Sequence, residues 1–463
     1  MKKINYINNH LKFNIIEKKL YKMIYNEPIF DFHCHLEPSL LAENKNFQSL
    51  FEAWIFMDHY KYRAMRALGI SEDYITGNKN DEEKCVAFLK IVPELIGNPL
   101  YEWVYFELQN IFDIHDYITT DNAIIIYRKM CEKLKELKPL DILKKLNVRF
   151  VCTTDDILSD LEEHKKIRNI EKEINVLPSF RPDRFISFEK ENILDNIKLL
   201  SEKCCRNILT LDDYTTCLTD RFNYFLSLGC IVSDHGFDEF DYVRGNFDDA
   251  QKAFDKLING EKLSSFERTI LKSYTLRYLG KLYSENNIVM QLHIGAVREN
   301  NSKFVKEIGL DQGGDSVSDL TFIHQLSYFL DDLVGNNCLP KTICYSLDPS
   351  KFTALAALLG SFNDGSFKGK IQFGPSWWYN DHYDGIKSQL KTLANVGVLS
   401  TAIGFLTDAS SIFSYVRHDY YRRVVVKLVG EYINTGRYPK DYKVIEKILK
   451  NIAYQNAYNY FIE

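Results

Sequence analysis

Eight short apolar or β-branched runs, each ending in a polar cluster and separated from the next by a helical stretch, predict an α/β fold. The fold class is a distorted (β/α)8 TIM-like barrel with a large helical insertion after the first strand. Strands alternating with helices imply parallel pairing through right-handed crossovers. An open doubly wound sheet would show a Gly-rich phosphate turn after an early strand, and the sequence has none. The polar clusters then fall at the carboxyl ends of the strands, where barrel active sites lie.

In chain order, residues 1–27 read as a polar lead-in with one amphipathic helix around 14–24. The first strand, 28–33, runs into Asp31-Phe32-His33-Cys34-His35-Leu36. From 38 to 146 the pattern is helical, with apolar residues at three- and four-residue spacing over 51–68, 82–96, 98–112 and 121–137. Gly97-Asn98-Pro99 breaks two of these helices. No Ser/Gly/Pro-rich linker bounds the stretch, so it reads as an insertion within one domain spanning 1–463. The other strands are expected at 148–152, 174–177, 230–232, 288–292, 342–345, 371–373 and 401–406. Helices at 190–205, 213–228, 246–284, 316–335, 351–360 and 382–397 separate them, and 411–463 is helical. Asp155-Asp156, at the second strand's end, is expected to cap the helix that follows.

Composition narrows the function classes. In 463 residues, 45% hydrophobic and 14% aromatic content supports a large core, and 11 prolines and 22 glycines argue against a disordered chain. A net charge of −5 without a Lys/Arg stripe argues against a nucleic-acid partner. No apolar run reaches membrane-spanning length, so no membrane partner is expected. The ten cysteines are scattered without a C-x-x-C, and the N-terminus lacks a secretory-type apolar core, which together predict a reduced, cytoplasmic protein. Aromatic-rich outer helices leave a homo-oligomer open.

Two histidines one residue apart on a strand point the same way. His33 and His35 are therefore a ready pair of ligands for a divalent metal. In a barrel, His293 after the fifth strand and Asp408 after the eighth converge on the same mouth. Nitrogen and oxygen donors around one cavity suit one divalent cation, zinc first. His293 is either a ligand or a neutral imidazole that polarises a substrate oxygen.

This layout resembles the amidohydrolase superfamily of metal-dependent barrels. The lysine after strand four and the histidine after strand six that build that family's second metal site have no counterpart here. Further motifs narrow the resemblance: Asp58-His59-Tyr60-Lys61-Tyr62-Arg63, Asn98-Pro99-Leu100-Tyr101-Glu102-Trp103, Ser179-Phe180-Arg181-Pro182-Asp183, Ser233-Asp234-His235, Gln291-Leu292-His293, Trp377-Trp378-Tyr379 and Leu406-Thr407-Asp408. In this order and spacing they are similar to the uronate (glucuronate) isomerases, over nearly the whole chain. The resemblance implies a small sugar-acid substrate, with D-glucuronate exchanged for D-fructuronate and D-galacturonate for D-tagaturonate.

An aldose–ketose isomerase needs a base at carbon 2, a group that moves protons between two oxygens, and an electrophile for the enediolate. Asp408 is a candidate base or a proton shuttle between the hydroxyl oxygens, and Tyr60 and His59 on the insertion can close over the mouth. His33, His35 and Asp408 are the expected metal ligands. Arg181 is the expected partner of the substrate carboxylate, Trp377 and Trp378 are placed to stack on the sugar, and Asp234 is expected to orient a neighbouring side chain.

One position departs from the family. After the eighth-strand aspartate the family carries Ser-Arg, and this chain has Ala409-Ser410. Either Arg298, Lys61 or Arg63 compensates, or affinity and substrate preference change. Two alternatives stay open: a mononuclear metal-dependent hydrolase or lactonase, and a divergent, weakly active sugar-acid binding member.

Overall fold

The computed structural model describes residues 2–189 and 192–463. Seven strands form one parallel sheet: β1 (Ile29–Cys34), β2 (Val148–Asp156), β3 (Asn175–Arg181), β4 (Val232–Phe237), β5 (Val289–Ile294), β6 (Thr342–Ser346) and β7 (Ile371–Phe373). They pair in that order. The third strand runs on through Ser179, Phe180 and Arg181, which the sequence placed in the turn after it.

The eighth run, 401–406, differs from expectation. Leu399–Thr401 is a 3-10 turn, and 402–409 has no ladder of its own. Gly404 and Asp408 both adopt left-handed φ, 89° and 47°, which breaks the regular pleat. The segment still closes the sheet against β1. Asp408 N donates to His33 O and His35 N to Ala409 O, each at 3.1 Å. The carboxylate of Asp31 adds two bonds, from Thr407 N (3.0 Å) and Thr407 Oγ1 (2.6 Å). The result is a distorted barrel whose seam joins β1 to residues 407–409.

Inside the barrel, Phe30 and Phe32 stack on Phe461, centroids 5.2 and 5.1 Å apart, so the C-terminal helix Asn456–Ile462 packs under the start of β1. Helices cover the outside. Helix α1 (Ile15–Ile24) starts with a reciprocal capping box between Asn14 and Glu17. Between β1 and β2 the assigned helices and strands, Pro38–Glu43 through Pro139–Lys145, are all helical. The run over 51–68 is two helices, α2 (Leu50–Trp54) and α3 (His59–Ala67), parted by Met57 at φ 58°. Helix α4 (Pro99–Asn110) begins at the predicted Gly-Asn-Pro break. The run over 246–284 is likewise two helices, Phe247–Ile258 and Ser265–Glu285. Of the helix expected at 190–205, residues 193–204 are helical and 190–191 lie outside the described residues. Among the described residues no helix is long and apolar enough to cross a membrane.

Asp155 and Asp156 do not cap the helix α5 (Glu162–Ile170). Asp156 accepts from Leu158 N, and Asp155 accepts from Thr153 Oγ1 at 2.8 Å. Thr153 Oγ1 also lies 2.9 Å from Nε2 of His164, whose burial lowers its pKa to about 4. The unfolded chain therefore binds the proton first as pH falls. This contribution to stability is complete above about pH 6.5 and is lost towards pH 4, on the order of 3 kcal/mol. His164→Gln should flatten the acid limb of the stability curve between those pH values. An acid slope equal to the parent's in denaturant titrations would refute it.

Candidate active site

The register of β1 against β2 is irregular between Asp31 and Cys34. In a regular strand neighbours face opposite ways, but an irregularity re-aims side chains. Here Phe32 packs inward on Phe461, while the next residue, His33, also reaches the mouth and lies 4.4 Å from the ring of His293.

His33 is the hub. Its Nε2 lies 3.0 Å from Asp408 Oδ1, and its Nδ1 lies 3.6 Å from Asp234 Oδ2. His35 Nε2 is 3.2 Å from the same Asp408 oxygen. On the far side Asp234 Oδ1 is 2.8 Å from His293 Nδ1, and Asp234 Oδ2 is 3.1 Å from Arg181 Nη1. Burial opposes charge on His33, but Asp234 and Asp408 outweigh it and raise its pKa. Burial would also raise both acids. Instead, bonds to His33 and His35 hold Asp408 well below the usual range, and the charges of Arg181 and His33 do the same for Asp234. The pKa of His293 is lowered, first by burial and then by the charge of His33. The His293 ring stacks flat on Tyr345, with centroids 4.2 Å apart.

Above this layer is a cavity of about 370 Å³. The strand ends contribute His35, Arg181, Arg298, Trp378 and Asp408–Ser411. About half of the wall comes from the insertion: residues 56–61 at the start of α3, and Leu100, Trp103, Val104 and Glu107 on one face of α4. Met57, Trp378 and Asp408 all have φ between 47° and 58°. Such left-handed non-glycine backbone costs about 1 kcal/mol or more at each residue and clusters at functional sites.

Tyr60 and His59 therefore face the cavity as expected, and Arg181 lines it. His33, His293 and Asp234 are buried and are not among its lining residues. Trp377 corrects the sequence reading. It is buried and absent from the cavity wall. Its Nε1 donates to Asp408 Oδ2 at 2.8 Å, which fixes that carboxylate, and Trp378 is the indole that lines the cavity. Glu107 and Arg417 also line it. Glu107 had no signal beyond its place on a helical face. Arg417 pairs with Asp381 at 2.8 Å and donates to Thr407 O.

The donors fit a divalent cation. Two overlapping sets, His33–His35–Asp408 and His33–Asp234–His293, each bring three ligand atoms within 4.8 Å of one another. His33 Nδ1 and His293 Nε2 are buried without a hydrogen bond among the described residues. Such atoms ordinarily have a partner.

A family model described as glucuronate isomerase matches residues 1–461. The chain belongs to the glucuronate isomerase family. It is 43% identical over 450 residues to a uronate isomerase of Caldicellulosiruptor saccharolyticus, covering 97% of each chain. It is 44% identical over 436 residues to one of Caldanaerobacter subterraneus, covering 93% of each. Among solved structures it superposes on a uronate isomerase of Thermotoga maritima with TM-score 0.92 at 32% identity, covering 97% of this chain and 98% of the other. The fold is also that of a Caulobacter crescentus glucuronate isomerase, with TM-score 0.88 at 22% identity, covering 96% of this chain and 93% of the other.

For a glucuronate isomerase family member, the exposed Ser410 matters because the other cations at the cavity are engaged. Lys61 donates to Trp54 O and Asp58, and Arg181 bonds Asp183. Arg298 bonds Asp315 and stacks over Trp378. Arg63 bonds the carbonyls of Gly313 and Asp315 and does not line this cavity.

Proposed function

We propose that this cavity interconverts D-glucuronate with D-fructuronate, and D-galacturonate with D-tagaturonate, through an enediolate. The observation that supports this reading best is the placement of Asp408. It is bonded to Trp377 on one oxygen and faces His33 and His35 on the other, at the edge of a cavity of sugar size. Asp408 takes the proton from carbon 2 and returns it to carbon 1. Tyr60, whose hydroxyl burial keeps protonated, gives a proton to oxygen 1 and accepts one from oxygen 2. His293, buried below the cavity wall, backs His33 instead of reaching a substrate oxygen, and Asp234 holds both in position. Arg181 and His59 bind the substrate.

His33, His35 and Asp408 are the proposed ligands of one divalent cation, zinc first. When bound it supplies polarisation of substrate oxygens.

The test is mass-resolved turnover of D-glucuronate by the purified chain. The expected product is a ketouronate of equal mass. A product heavier by one water would favour the hydrolase, and no product the silent binding protein. Treatment with a chelator should lower the rate by about tenfold or more, with recovery on added Zn²⁺. An unchanged rate after verified metal removal would sink the ligand assignment.

A further inference from the structure

Helix α4 turns one face to the cavity, with Leu100, Trp103, Val104 and Glu107 at helical spacing. Three of these are apolar or aromatic. Glu107 is only 3% exposed, and burial raises its pKa. Its Oε2 accepts from Trp54 Nε1 at 2.6 Å. Its Oε1 has no hydrogen-bond partner among the described residues, yet the side chain borders the cavity. A carboxyl oxygen without a protein partner at the cavity wall is an acceptor open to an incoming donor. If the only task were to accept from Trp54, a neutral amide would serve as well.

The chemistry of the incoming group follows from that of a sugar acid. Carbons 1 and 2 belong at Asp408. The terminal carboxylate calls for a cation, which Glu107 does not supply. What remains are the hydroxyl groups on carbons 3 to 5, which are donors. We propose that Glu107 accepts a hydrogen bond from one of these hydroxyls and so determines specificity for the body of the sugar. The inference rests on the isomerase reading above.

The test compares Glu107→Gln with Trp54→Phe. Glu107→Gln keeps an acceptor for Trp54 but removes the carboxylate from the cavity. Trp54→Phe removes the same buried bond and leaves the carboxylate. With D-glucuronate, Glu107→Gln should lose about 10- to 100-fold in kcat/KM, chiefly through KM, at a Tm close to the parent's. Trp54→Phe should stay within about threefold of the parent in kcat/KM. Parallel assays with D-galacturonate, which differs at carbon 4, assign the hydroxyl: a changed ratio of the two substrates points to carbon 4, and an equal loss to carbon 3 or 5. Glu107→Gln at parental kcat/KM, or a Trp54→Phe loss equal to it, overturns the inference. If Glu107→Gln does not fold, the parent is assayed with 3-, 4- and 5-deoxy-D-glucuronate. A loss of about tenfold or more with one of them supports the inference, and undiminished turnover of all three overturns it. Parental turnover of D-glucuronate under the same conditions separates failure of this inference from failure of the isomerase reading, since its absence overturns both.

Discussion

Asp408→Asn is expected to lower kcat by about 10²- to 10⁴-fold, the usual contribution of a positioned general base. The amide keeps nearly the same shape and can still accept from Trp377 Nε1. It cannot take a proton from carbon, and it removes the charge that faces His33 and His35. Fold should survive, because the seam beside it is held by backbone bonds and by Asp31 with Thr407. The measurement is steady-state isomerisation of D-glucuronate, with Tm recorded beside it. A folded variant within tenfold of the parent would remove Asp408 from the role of base and leave it as a ligand.

Ser410→Arg is expected to lower KM for D-glucuronate by about 10- to 100-fold, the scale of one charge-assisted bond. Charge at the cavity is balanced: Lys61, Arg181, Arg298 and Arg417 stand against Asp58, Glu107, Asp311 and Asp408. Each of those cations already bonds an acid. A guanidinium at 410 would be the one uncommitted cation on that wall, beside the 3-10 segment Ile412–Val416, whose neighbour Ser411 is tied to Ala53 O. An unchanged KM would show that the present residues already meet the substrate carboxylate, with Arg298, the most exposed of the four, first in line. The substitution is also a check on cost, because the variant must keep its Tm for the comparison to hold.

Most of the barrel was legible because apolar runs and helical spacing are local patterns. The eighth strand was not, since its conformation depends on Gly404 and on the side chain of Asp31, 376 residues away from Thr407. The metal-like cluster was legible for a different reason: His33, His35, His293 and Asp408 each sit at a strand end, and a barrel brings strand ends together. The role of Trp377 was hidden. A Trp-Trp pair carries no mark of which indole faces the cavity, and only the backbone turn at Trp378, φ 52°, separates the two. Glu107 was hidden because one acid on an otherwise apolar helix face reads as any other helical polar residue.

The seam has a consequence for how the chain is made. His33 and Asp408 are 375 residues apart. At the usual elongation rate of about 5–20 residues per second, roughly 20–75 s separate the synthesis of one side of the centre from that of the other. During that interval the edge of β1 that will receive residues 408 and 409 has no partner strand. Open edges of this kind template intermolecular pairing. Asp31 lies on that edge and later captures Thr407, and a carboxylate there also discourages a foreign strand. Asp31→Val is therefore expected to lower soluble yield during expression before it shows in the kinetics of the protein that does fold.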